Sequence, residues 1–97
     1  MACFDFDQTG ETFLLREGQN LLGAEPREAT VLLAAGQGQV APRHGALRIE
    51  PDGGAWATPL DGELTVNDEP VPRSGGPLRD GDKLRVGAYT LTVKLLP

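Results

Sequence analysis

The sequence predicts an all-β sandwich of about 10–11 short strands, a fold class that three observations support. Apolar residues alternate with polar ones at the strand period of two. Glycine and proline are frequent, 13 and 8 in 97 residues, and spread along the chain, so they read as turns between short elements. No segment carries a helical pattern of useful length. The length suits one domain, residues 1–97, with a single core and no room for a second.

The elements follow in order. Phe4 and Phe6 alternate with Asp5 and Asp7, and Phe13 and Leu15 alternate with Thr12, Leu14 and Arg16, with a hairpin turn expected over Gln8 to Gly10. Gly18 marks the next junction, after which Leu21 and Leu22 run into Gly23. Ala24 to Thr30 reads as a loop. Pro26 would suit a first helical position, but the segment is too short for a stable helix. Val31 to Leu33 is expected to be a short buried strand, and residues 34–42 a glycine-rich loop. Leu47 and Ile49 share one face of a strand, with Arg48 and Glu50 off it. Trp56 opens a further strand ending near Pro59. Core packing is expected of its indole, an exposed interface anchor being the alternative. Leu64 to Asn67 is strand-like, Asn67 to Glu69 a tight turn that tolerates unusual backbone angles, and Pro72 to Pro77 a polar connection. The last stretch is a hairpin: Leu84 and Val86, a turn at Gly87-Ala88, then Tyr89, Leu91, Val93 and Leu95 on one apolar face.

Charge and motif content narrow the function. The net charge of -5, without any run of Lys or Arg, argues against a nucleic-acid partner. Cys3 is the only cysteine, so no intramolecular disulfide can form, and a reducing, cytoplasmic setting is expected. No stretch reaches the ~18 apolar residues of a membrane-spanning helix, and the first ten residues do not read as a secretory signal. Gly36-Gln37-Gly38 lacks the Lys-Ser/Thr and the helix of a phosphate-binding loop. Asp80-Gly81-Asp82 has too few ligands for calcium. His44, the only histidine, has no nucleophile or orienting acid in sequence context. The expectation is a binding or assembly module with a protein or peptide partner, no catalytic residues, no metal and no cofactor. A small hydrolase or transferase is the distant rival.

Three landmarks in fixed order carry a resemblance: Asn20-Leu21-Leu22-Gly23, then Val40-Ala41-Pro42-Arg43-His44-Gly45-Ala46-Leu47, then Leu78-Arg79-Asp80-Gly81-Asp82-Lys83-Leu84-Arg85-Val86-Gly87. Between the last two lies Asp61-Gly62-Glu63-Leu64-Thr65-Val66-Asn67-Asp68. Over residues 12–95 the chain resembles the forkhead-associated domain, which implies an eleven-stranded sandwich whose loops bind phosphothreonine peptides. The resemblance further implies an Arg after Gly23, a Ser before the Arg-x-His-like run and an Asn before Gly62. Those positions hold Ala24, Ala41 and Asp61. It assigns structural roles to Gly23, His44, Gly81 and Asp82, and makes Asn67 a candidate peptide contact.

Losing a charge-assisted bond costs on the order of 1.5–3 kcal/mol. Two such losses plus a carboxylate imply a loop face that binds without phosphate, through Ala24 to Arg27, Gly38 to Arg43 and Asp61 to Asp68. Arg27, Arg43 and Arg73 are candidate partner contacts, since Arg is frequent at interface hot spots. A phosphate-blind domain of this kind resembles the cytoplasmic domain of the inner-membrane ring protein of bacterial type III secretion systems. That would make the chain a piece of a longer membrane-anchored protein. The alternative is a phosphothreonine reader that uses Arg27 or Arg43.

Overall fold

The computed structural model describes residues 2–6, 12–33 and 39–95. Eleven strands lie among them: β1 (Ala2–Phe6), β2 (Thr12–Leu15), β3 (Gly18–Gly23), β4 (Val31–Leu32), β5 (Gly45–Ile49), β6 (Ala55–Pro59), β7 (Leu64–Val66), β8 (Glu69–Pro70), β9 (Gly76–Leu78), β10 (Lys83–Val86) and β11 (Tyr89–Leu95). They form two sheets, ordered β2-β1-β11-β10-β7-β8 and β4-β3-β5-β6-β9. All pairings are antiparallel except β3 with β4. The expected turn at Gln8 to Gly10 and the Gly36-Gln37-Gly38 motif lie outside the described residues.

The period-two pattern sets the layers. Leu47 and Ile49 on β5, Ala55 and Ala57 on β6, Leu84 and Val86 on β10, and Leu91 and Val93 on β11 all face inward and are buried. Phe4, Leu22, Val31, Leu33, Val40, Leu64 and Leu78 complete the same core. Each large aliphatic or aromatic side chain buried there contributes about 1.5–3 kcal/mol. Their polar neighbours Arg48 and Arg85 point outward.

Two tight turns close the β7–β8 and β10–β11 hairpins. Asn67 and Asp68 both have positive φ, 51° and 69°, the geometry that lets a two-residue turn follow the strand twist between β7 and β8. Gly87, at φ 60°, opens the turn between β10 and β11.

Three expectations need correction. Trp56 is not a core residue: it is 42% exposed, because the inward positions of β6 belong to Ala55 and Ala57. Its indole N–H donates to the Ser74 carbonyl at 3.4 Å. Leu33 and Val31 are buried as expected, but Leu32 between them is 48% exposed, since the strand alternates there too. The connection over 72–77 contains the start of a strand, β9, which pairs with β6 although Pro77 supplies no N–H. Its place at the sheet edge tolerates that residue.

Asn20 is a buried polar residue in the β3 run that the apolar pattern hides. Its side chain accepts the Arg16 N–H at 3.0 Å and donates to the carbonyls of Arg16 at 2.8 Å, Gly18 at 3.3 Å and Leu47 at 3.3 Å. It therefore fastens the bend before β3 to β5.

Candidate functional site

Three connections meet at one end of the sandwich: 24–30 after β3, 39–44 before β5, and 60–63 after β6. Close approach begins at Gly23, where an added Cβ would run into the Pro42 carbonyl. That approach lets the Ala24 N–H donate to the Ala41 carbonyl at 3.1 Å and the Glu25 N–H to the Pro42 carbonyl at 3.2 Å.

His44 is the hub. It is buried, with 4% of its surface exposed. Nδ1 accepts the Ala41 N–H at 3.1 Å, and Nε2 lies 2.8 Å from the Glu63 carbonyl. A carbonyl only accepts and an amide N–H only donates, so the ring is the Nε2–H tautomer with both nitrogens engaged. Its backbone extends the junction. The His44 N–H donates to Leu22 O at 3.0 Å, and His44 O accepts from Leu60 at 3.0 Å and Gly62 at 3.1 Å. Gly62 must be glycine at this packing, because a Cβ there would enter the imidazole.

The candidate residues distribute around this hub. Ala24 and Ala41 are half-buried neighbours joined through their backbone. Asp61 is exposed, and its N–H donates to Arg43 O at 3.0 Å. Arg27 and Arg43 line one cleft together with Glu25, Glu28 and Pro42. Arg43 Nε lies 3.6 Å from Glu28 Oε2. Glu25 turns its carboxylate onto the backbone N–H of Arg27, at 3.1 Å. Arg73 is exposed in the connection before β9, away from this cleft.

Asn67 is held in a second set of contacts. Its Nδ2 donates to Asp82 Oδ1 at 3.0 Å, and its Oδ1 accepts the Lys83 N–H at 3.0 Å. The second oxygen of Asp82 accepts the Arg79 N–H at 2.8 Å, closing the turn at Gly81, whose φ is 88°. Asn67 and Asp82 thus clamp the β7–β8 turn to the start of β10. Between this clamp and the hub, Gln39, Glu63, Thr65, Asp68 and Arg85 border an open hollow. Among the described residues, no group of three or more His, Cys, Asp or Glu side chains could hold a metal ion.

Sequence reasoning missed Asn20, Glu25 and Glu28. Asn20 had a signal, since it occupies an inward parity next to Leu22. Glu28 had none, because its partner is fifteen residues away across two loops.

A two-sheet antiparallel sandwich presenting three hydrogen-bonded loops at one end is the architecture of a loop-borne recognition module. Solved structures identify which one. The chain is 31% identical to a forkhead-associated domain characterised for phosphothreonine-dependent interactions, with a TM-score of 0.87 over 99% of this chain and 97% of that one. It is also 31% identical to the FhaA forkhead-associated domain, solved with the intracellular domain of Rv3910, with a TM-score of 0.83 over 97% of this chain and 100% of that one. The corresponding domain of CT664 from Chlamydia trachomatis shares the fold at a TM-score of 0.86 with 15% identity, over 99% of this chain and 98% of that one. No known family model and no curated protein matches the chain. The chain belongs to the forkhead-associated domain family, whose members are protein-interaction modules.

Proposed function

We propose that this domain binds a protein or peptide through its loop face without requiring phosphate. The observation that carries this reading is the pair Ala24 and Ala41. They stand where two loops are bonded together, their side chains are methyl groups without a donor, and Ala24 packs against the core beneath. The Ala24 N–H is taken by Ala41 O, and the Ala41 N–H by His44. Asp61 adds an exposed negative charge on the adjoining loop, bonded through its N–H to Arg43 O. A dianion approaching this face meets carboxylates at Glu25, Glu28 and Asp61, and finds Arg43 beside Glu28.

The same reading extends to assembly within a larger complex, of which a type III secretion inner-ring component is the narrow form. What supports that form is the emptied recognition positions alone. A cytoplasmic setting agrees with a single cysteine, Cys3, that is free and buried.

One observation favours a second reading. The relatives at 31% identity include a domain with phosphothreonine-dependent interactions, and Arg27 and Arg43 are cations that line a cleft between two of the same loops. Binding of a phosphothreonine peptide library, compared with the same library unphosphorylated, separates the two. Equal binding supports the phosphate-independent reading, and micromolar binding confined to the phosphorylated library supports the second.

A further inference from the structure

Glu28 is presented to Arg43 from a short, pinned turn. The Glu25 N–H donates to Pro42 O at 3.2 Å at its start, and the Thr30 N–H donates to Leu21 O at 2.9 Å at its end. Inside it, the N–H groups of Glu28 and Ala29 both donate to Glu25 O, at 3.3 and 2.9 Å. The carboxylate so placed has Oε2 3.6 Å from Arg43 Nε, with both side chains largely exposed. The pair forms a wall common to two clefts. One contains Arg27 and Pro42, and the other has Leu21, Ala46 and Leu60 along it.

We propose that Glu28 is an internal anion that occupies Arg43 and so determines the anion selectivity of the loop face. This deepens the phosphate-independent reading: two alanines remove donors, and Glu28 engages a cation that remains. The fixed turn matters because it holds the backbone of the acid in place, so that only the Glu28 and Arg43 side chains remain to be ordered when they pair. An external phosphate must displace a tethered carboxylate and also approach its charge. Displacing an exposed pair costs up to about fivefold in affinity, and like-charge repulsion from a carboxylate at this range adds to it at low ionic strength.

The test is a titration of inorganic phosphate at low ionic strength, read by the Arg43 side-chain Nε–H resonance. Glu28→Gln should shift that resonance at phosphate concentrations several-fold, up to about fivefold, below those needed for the wild type. The double variant E28Q/R43Q, followed through backbone amides of residues 41–43, should lose the gain. Glu28 is exposed, so the melting temperature of E28Q should stay at the wild-type value. Equal titration of E28Q and wild type, or a gain that survives in E28Q/R43Q, overturns the proposal. A parallel arm compares a phosphothreonine peptide with its threonine counterpart. Phosphate-dependent binding by the wild type sinks the phosphate-independent reading, whereas the ratio of E28Q to wild type decides the role of Glu28 separately.

Discussion

The imidazole of His44 fills the space that a side chain on residue 62 would need, so the histidine and Gly62 are a matched pair. The same ring bridges the Ala41 N–H and the Glu63 carbonyl, at 3.1 and 2.8 Å. Removing the ring leaves both backbone groups without their partner and opens a cavity between three loops. Leaving a buried polar group unmet costs about 1–3 kcal/mol. His44→Ala should therefore lower stability by about 3–5 kcal/mol once cavity formation is included. Thermal unfolding checks this, and a drop of more than about 10 °C is expected for a domain this size.

The pairing predicts a non-additive cycle. Gly62→Ala should cost about 1–3 kcal/mol by overpacking against the imidazole. In a His44→Ala background the same change should cost little, because the obstructing ring is gone. Gly53→Ala is the control. Gly53 has open space around its Cβ direction and a φ of 92°, so its cost comes from the backbone alone and should be unchanged by His44→Ala.

Much of this architecture is legible in the sequence. The residues assigned inward on β5, β10 and β11 are buried, with Tyr89 and Leu95 at the ends of β11 only partly so, because period two leaves only one arrangement when one face is buried. The pattern fails where parity and residue size conflict. Trp56 is the largest side chain of its strand, and its position faces out while the small Ala55 and Ala57 face in. The edge strand β9 has only Gly76, Pro77 and Leu78, too few residues and the wrong types to show a period. At the loop face the approach of Gly23 to Pro42 and the Glu28–Arg43 pair are tertiary events. No local propensity encodes either.

Asp5 and Lys94 are diagonal neighbours on the same face of β1 and β11, with Nζ 2.7 Å from Oδ2. The Lys94 hydrogen bond first, and the Thr12 hydroxyl next, hold the Asp5 carboxyl below its ordinary range, and Asp5 raises the Lys94 ammonium above its own. A lowered carboxyl gives stability that is present above the unfolded-state value and lost as pH falls through the folded one. A raised ammonium gives stability that is present below the unfolded-state value and lost as pH rises through the folded one. The difference in melting temperature between wild type and Asp5→Asn should thus be largest between these ranges and shrink at both the acidic and the alkaline end. Because both side chains are partly exposed, it should also shrink with added salt.

On the proposed reading, supplying donors at residues 24 and 41 should create affinity for phosphate. Ala24→Arg with Ala41→Ser places a guanidinium and a hydroxyl at the two positions where methyl groups now stand. Charge-assisted bonds contribute about 1.5–3 kcal/mol each, so the double variant should gain at least about tenfold in affinity for a phosphothreonine peptide. Calorimetric titration checks this. No gain would mean that these two positions do not face the ligand.

The central claim is that the loop face recognises its partner without phosphate. Its most direct measurement is the affinity of the wild-type domain for a phosphothreonine peptide library against the identical threonine library, at fixed low ionic strength. The account predicts equal binding, or weaker binding of the phosphorylated set, because Glu25 and Glu28 line the Arg43 cleft and Asp61 is exposed on the adjoining loop. Micromolar binding that disappears on dephosphorylation would contradict it.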